Sequence, residues 1–230
     1  MNIFDVLNRG KSRLHEPSIS ALLGYLLDSH RDHGLGDSFL RAFLDLACDE
    51  RSRPMLQPFL DRPFIDSDIS LEEPYQLDGA RKDIDVQVDL AGETPDESCR
   101  IIVENKIKVG AANPKQLSEY YLAVLEDDPS LKNLIIIFLT PDASSPALVS
   151  EFDSLEVQAG HVKNWLRWNS EDGSVLGIIQ TILEQEVRGE ITPINEYMRH
   201  TLKAFVQHVN ATVAVRGSAS QRLGEDLGEV

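Results

Sequence analysis

Two neighbouring segments, Arg81-Lys-Asp-Ile-Asp-Val-Gln-Val88 and Arg100-Ile-Ile-Val-Glu-Asn-Lys-Ile107, alternate in the manner of β-strands and constrain this chain more than anything else in it. Residues two apart in a strand share a face. Asp83, Asp85 and Gln87 therefore lie together on the first segment, and Ile102, Glu104 and Lys106 together on the second. The intervening Leu90-Ala-Gly-Glu-Thr-Pro-Asp-Glu-Ser-Cys99 has the Gly, Pro, Asp and Ser of a connecting loop, which predicts an antiparallel pairing. Such a pairing sets Asp85 opposite or diagonal to Glu104, close enough for both to hold one cation.

The surroundings predict an α/β layer with a mixed central sheet flanked by helices. Ile101–Val103 and Ile135–Phe138 are apolar runs suited to a sheet covered on both sides. Patterning places helices at about 16–29, 36–49 and 113–126, a strand near 64–71, the hairpin at about 81–90 and 100–108, and a strand at about 133–139. A short strand near Leu155–Gln158 and helices at about 161–168, 173–187 and 193–209 follow. A single domain over residues 1–210 is expected, because the 230-residue chain is long enough for one sizeable core and short for two. The segment 211–230, poor in large apolar residues, is expected to be a flexible tail.

In Glu16-Pro-Ser-Ile-Ser-Ala-Leu-Leu-Gly-Tyr-Leu-Leu27 the residues Ile19, Leu22, Leu23, Leu26 and Leu27 trace a helical stripe, with Glu16 one turn ahead on the same side. A carboxylate there is costly to bury unless a metal or a cation pairs with it. After the lysine segment, Gln116 and Tyr120 stand four apart on one face of an apolar-periodic helix.

Taken together these motifs resemble the PD-(D/E)xK nuclease superfamily, whose signature is an Asp, a hairpin turn, then Glu-x-Lys. Glu104-Asn105-Lys106 matches the second half, and Gln116-x-x-x-Tyr120 is similar to an element that exonuclease-like branches carry after Glu-x-Lys. Glu16 matches a first-helix glutamate, His30–Leu40 a loop and second helix of a bacterial subgroup, and Leu134–Pro141 the next core strand. The Pro of the family's name is absent, since Ala80-Arg81-Lys82 precedes Asp83. Either Asp83 or Asp85 can fill the first slot; Asp85 is preferred because it lies nearer the middle of the hairpin and continues into an apolar-backed strand.

The resemblance implies a restriction-endonuclease-like core and a hydrolase that cuts phosphodiester bonds with a Mg²⁺- or Mn²⁺-activated water. Mg²⁺ keeps several waters and uses one or two protein carboxylates. Asp85 and Glu104 are the implied ligands, with the Asn105 carbonyl and Glu16 completing a first or second metal position. Lys106 would orient the attacking water or balance phosphoryl charge, and Gln116 and Tyr120 would position water, lysine or a nucleotide phosphate. The implied partner is nucleic acid, DNA in preference to RNA, with a protein partner or self-association also open. Bacterial defence or DNA processing is the implied setting.

Charge pulls the other way. With 38 acidic against 22 basic residues the formal charge is −16, whereas nucleic-acid binders ordinarily present a basic surface. Arg81, Lys82, Arg100, Lys106, Lys108 and Lys115 bracket the motif and predict a local basic rim. No apolar run approaches the roughly 20 residues of a membrane span, and Cys48 and Cys99 give no disulfide framework. A soluble cytoplasmic protein is expected, with no membrane partner.

Plainer readings stand beside these. Asp83, Asp85, Glu104 and Lys106 can form a salt-bridge ladder on a solvated sheet face. A protein that keeps the fold can serve as an inactive binding module within a complex, which the acidic surface suits, or act on a smaller phosphoryl substrate. His30 and His33 read as an exposed turn lacking a third metal ligand, Ser18 and Ser20 as helix-start residues, and Trp165 and Trp168 as the core side of a helix.

Overall fold

The computed structural model describes residues 2–4, 16–107, 115–141, 145–170 and 173–225, with side chains described as far as Asn210. The chain runs α1 (Glu16–Leu27), α2 (Ser38–Leu46), α3 (Arg53–Leu60), β1 (Asp68–Leu77), β2 (Ala80–Leu90) and β3 (Cys99–Asn105). It continues through α4 (Gln116–Asp127), β4 (Leu134–Thr140), α5 (Pro146–Ser154), β5 (His161–Arg167), α6 (Val175–Arg188) and α7 (Glu196–Glu225).

The strands form one mixed sheet in the order β1-β2-β3-β4-β5. The first three are antiparallel neighbours; β3, β4 and β5 run parallel, linked by α4 and α5. Parallel strands are covered on both faces because their crossovers lay helices over the sheet. Accordingly every residue of Leu-Ile-Ile-Ile-Phe-Leu-Thr in β4 is buried. Ile101, Val103, Ile135 and Ile137 pack toward the layer of α1, α2, α6 and α7, while Ile102, Ile136 and Phe138 pack toward α4 and α5. The restriction-endonuclease-like α/β architecture expected from the sequence is the one observed.

The hairpin of β2 and β3 has the predicted register, with Val86 across from Val103 and Gln87 across from Ile102. One further step along that register sets Asp85 across from Glu104. Its other neighbour, β1, begins and ends later than the expected strand at 64–71 because an Asp78-Gly79 turn closes a second hairpin. Both turn residues have positive φ, 51° and 76°, as a two-residue turn matched to strand twist requires. Pro74 is tolerated because β1 is an edge strand.

Opposite Asp85 the β1–β2 ladder falters. Leu71 pairs with Val86 and Glu73 with Ile84, but the intervening Glu72 has φ 50°. Across this point the alternation of faces breaks: Ile84 joins the α4-side core and Val86 the α1-side core. A left-handed backbone at a non-glycine residue is a local strain, and here it lies beside the preferred aspartate.

Several expectations are corrected. Residues 161–167 are strand β5, since His-Val-Lys-Asn-Trp-Leu-Arg pairs along its full length with β4 and no helix could use that partner. The expected strand at Leu155–Gln158 is an irregular approach to β5, whose buried Leu155 fills the α5-side core. His33 is fully buried rather than exposed: its Nε2 lies 2.9 Å from the Asp28 carbonyl and its Nδ1 accepts from the Leu35 amide at 3.0 Å. Helix α7 continues past 209 to Glu225, and the side chains of the expected tail lie outside the described residues. Among the described residues no helix is long and apolar enough to cross a membrane, and Cys48 and Cys99 are not joined in a disulfide.

A Cβ added at Gly79 meets nothing within 4 Å, so only the backbone opposes a side chain there. Gly79→Ala is expected to lower stability by about 1–2 kcal/mol, and Gly79→Asn by less, as read from denaturant midpoints.

Candidate active site

The end of β3 delivers Glu104 to the α4 side of the sheet, where it is buried to 2% exposure. Two residues on, just past the strand, Lys106 turns its ammonium back onto it, and Nζ donates to Glu104 Oε1. The same ammonium donates to Gln116 Oε1 at 2.8 Å, and Gln116 Nε2 donates to the Tyr120 hydroxyl oxygen at 2.8 Å. Gln116 opens α4 and Tyr120 lies four residues on, so helical spacing alone aligns them. Tyr120 accepts in this chain, which leaves its own O–H as the donor it can offer a ligand.

Asp85 reaches the same strand end, its Oδ2 accepting the Asn105 amide at 2.8 Å. Asp83 is exposed and ion-paired to Arg81 at 2.7 Å, and reaches this cluster only through its charge on Tyr120. Glu16, at the start of α1, accepts the Ile107 amide through Oε1 at 3.0 Å. It therefore meets the cluster from the other layer by binding the backbone just after Lys106. The Asn105 side chain points into the α1-side layer, where it bonds Ser20 and Trp168.

The sequence-predicted residues Asp85, Glu104, Lys106, Gln116 and Tyr120 thus converge, with Glu16 at their border. Three members of the expected basic rim are neutralised. Arg81 pairs with Asp83, Lys82 with Glu119 at 2.6 Å, and Arg100 with Asp89 at 2.7 Å; Lys108 lies outside the described residues.

Two acids went unnoticed in the sequence. Glu151 is buried on α5, and its charge acts on both Glu104 and Lys106. Its position three residues after buried Leu148, on the inward side of α5, is the signal that singled out Glu16. Glu72 adds its charge to Asp85 across the strained step; no periodicity marks it.

Crowding of carboxylates in a buried place sets the electrostatics. Burial, then the charge of Asp85, pushes Glu104 up to about 8, with Lys106 opposing. Burial likewise pushes Asp85 up to about 6, against the Asn105 amide and Lys106. For Lys106, burial favours the neutral amine, but the charge and hydrogen bond of Glu104 outweigh it and raise the pKa above the usual lysine value. Burial and then the charge of Glu104 also raise the Tyr120 hydroxyl, which keeps its proton.

Against this geometry, a model of the PD-(D/E)XK nuclease superfamily matches residues 1–213. The chain belongs to that superfamily. No curated protein and no solved structure matches it. PD-(D/E)XK nucleases typically use divalent metals, and membership implies nucleic acid as the partner.

The residues present fit such a cation in a specific way. Glu104 Oε2 is buried and has no hydrogen-bond partner among the described residues, a costly state that a cation would relieve. Asp85 and Glu104 are hard oxygen donors, and two carboxylates are what Mg²⁺ usually takes from a protein. Among the described residues no group of three or more His, Cys, Asp or Glu is arranged as a ready ligand cage. Glu16 gives one oxygen to Ile107 instead of closing such a cage.

A carboxylate that holds its proton more tightly folded than unfolded favours folding at low pH, and that contribution is lost as pH rises through the folded value. For Glu104 the loss spans the range from the ordinary glutamate value, about 4.3, up to about 8. Glu104→Gln is therefore expected to gain stability relative to metal-free wild type as pH rises from about 5 to 8, by a few kcal/mol at most. Saturating Mg²⁺ should cancel the difference. Denaturant unfolding of both proteins across that range, with and without Mg²⁺, reads it directly.

Proposed function

We propose that this chain is a divalent-cation-dependent nuclease that hydrolyses DNA phosphodiester bonds, with Asp85, Glu104, Lys106, Gln116 and Tyr120 at its reacting centre. The observation that carries the reading is the buried Glu104–Lys106 pair, held by Gln116 and lying beside Asp85, with one Glu104 oxygen unsatisfied. A salt-bridge ladder on a solvated sheet face would leave these groups wet, and Glu104 and Lys106 are only 2% and 5% exposed.

Asp85, Glu104 and the Asn105 carbonyl would hold Mg²⁺ or Mn²⁺, with Glu16 bordering the position. When bound, the cation supplies a more acidic water and stabilises charge on the phosphoryl oxygens. The chain's own residues do the rest. Lys106 keeps its proton beside Glu104 and presents a positive charge to the phosphate. Gln116 fixes the ammonium through its Oε1, and Tyr120 offers an O–H to a phosphate oxygen or the attacking water. Ile102, Phe138 and Leu117 belong to the buried apolar cluster on the same side of the sheet. Asp85 is preferred to Asp83 as the metal-binding aspartate, since only Asp85 touches the Glu-x-Lys backbone. The Gln116-x-x-x-Tyr120 element favours DNA ends or single strands.

A second reading, an inactive binding module within a protein complex, is favoured by the −16 charge and by the pairing of Arg81, Lys82 and Arg100 with acids. It predicts no cation-dependent cleavage of any nucleic acid.

The deciding experiment incubates the protein with linear and circular double-stranded DNA, single-stranded DNA and RNA, in Mg²⁺, Mn²⁺ or chelator. Cleavage of DNA that chelator abolishes, and that Glu104→Gln and Lys106→Ala each reduce by at least about a hundredfold, is expected. Equal cutting by wild type and both variants would sink the assignment, and no cutting of any substrate would leave the binding module as the reading. Activity should also climb between about pH 6 and pH 8, because Asp85 and Glu104 must shed protons to bind the cation.

A further inference from the structure

Asn105, the middle residue of Glu104-Asn105-Lys106, is fully buried with its side chain in the layer opposite the site. Its Oδ1 accepts the indole N–H of Trp168 at 2.8 Å, and its Nδ2 donates to Ser20 Oγ at 3.0 Å. Ser20 in turn donates to the Glu16 carbonyl at 3.0 Å. The backbone of the same asparagine donates to Asp85, and that of the next residue, Lys106, to the Leu139 carbonyl at 2.8 Å.

Trp168 is itself fixed. Its amide donates to the Thr140 carbonyl at 2.8 Å, its carbonyl accepts from Leu176 at 3.0 Å, and its ring meets Phe205 edge-on at 5.7 Å. It stands one residue beyond β5, tied to the ends of β4 and α6. An apolar residue in place of Asn105 would fill this core without the cost of burying an amide. A buried polar group that is fully satisfied instead fixes one orientation.

We propose that Trp168 is a positioning residue for the cation site: its indole N–H, acting through the Asn105 side chain, fixes the Asn105 peptide that holds Asp85 and presents its carbonyl. The inference rests on the nuclease reading and extends it to residues that touch neither cation nor substrate. Ser20 completes the brace from α1 and couples it to the backbone of Glu16. Loss of the indole N–H leaves Asn105 Oδ1 a buried acceptor without its donor, and the amide turns to seek another partner, loosening the peptide that Asp85 grips.

Trp165 supplies the control. It is the same residue type three positions earlier, and its Nε1 donates to Thr140 Oγ1 at 2.7 Å, on the other face and without contact to Asn105. Mn²⁺ binding is measured by electron paramagnetic resonance on wild type, Trp168→Phe, Trp165→Phe and Ser20→Ala, beside DNA cleavage and thermal unfolding. Trp168→Phe is expected to weaken Mn²⁺ binding about tenfold, and to raise the Mn²⁺ concentration for half-maximal cleavage equally while leaving the rate at saturating Mn²⁺ close to wild type. Trp165→Phe should leave the affinity unchanged. A merely destabilised fold would lower the amount of active protein without moving the half-saturation point. Should Trp168→Phe not fold, Ser20→Ala decides, with the same shift expected. Wild-type affinity in Trp168→Phe, or an equal shift in Trp165→Phe, overturns the brace while the nuclease reading stands. A wild type that neither binds Mn²⁺ nor cleaves DNA overturns both.

Discussion

Glu104 is a carboxylate that the sheet buries and Lys106 only half satisfies, and the organisation of the site follows from that imbalance. A buried acid survives when its charge is matched or its proton retained. Here Asp85 lies across the hairpin, Glu151 reaches in from α5 and Glu16 stands at the border, and among the described residues the Lys106 ammonium is the charge that opposes the shifts of Glu104 and Asp85. The raised Glu104 and Asp85 values reflect burial first, which Lys106 does not offset, and the unsatisfied Glu104 oxygen shows the same imbalance. A divalent cation would repair it, and the superfamily to which the chain belongs typically uses one.

The sheet makes such an arrangement tolerable. β3 lies between an antiparallel neighbour and a parallel one with helices over both faces, and its end opens beside the end of β4 while β2 runs on beyond it as far as Ala80. One face of that end carries Glu104 toward α4, with Gln116 and Tyr120 waiting at the start of the helix. The other face carries Asn105 toward α1 and Trp168. A one-residue alternation in a single strand thereby connects two layers, so that packing on the α1 side controls geometry on the α4 side. The strained Glu72 opposite Asp85 belongs to the same pattern: the hairpin twists where the aspartate must leave regular alternation.

The acidic surface shapes how such a site can be used. Counter-ion release by unpaired lysines and arginines supplies most non-specific affinity for DNA, and on this protein Arg81, Lys82 and Arg100 are already engaged by Asp83, Glu119 and Asp89. Binding that depends on a cation at the scissile phosphate, or on delivery by a partner, is consistent with that distribution.

The sequence by itself determined the parts whose information is local. Strand alternation in 81–88 and 100–107, with a loop between them, specified the hairpin that brings Asp85 to the strand end of Glu104. Helical spacing specified the Gln116–Tyr120 pair, and the apolar stripe after Glu16 marked a half-buried acid. The Asp78-Gly79 turn was equally local, although the strand expected at 64–71 stopped short of it. Tertiary structure alone decided the rest. Residues 161–167 became a strand because β4 offered them a parallel partner, which no periodicity within seven residues reveals. Asp85 is distinguished from Asp83 by a hydrogen bond across the hairpin. The proximity of Glu151, the brace from Trp168 and the proton affinity of Glu104 all depend on which distant segments exclude water from one strand end. Burial is a property of the whole packed chain, and the chemistry of this site is set by burial.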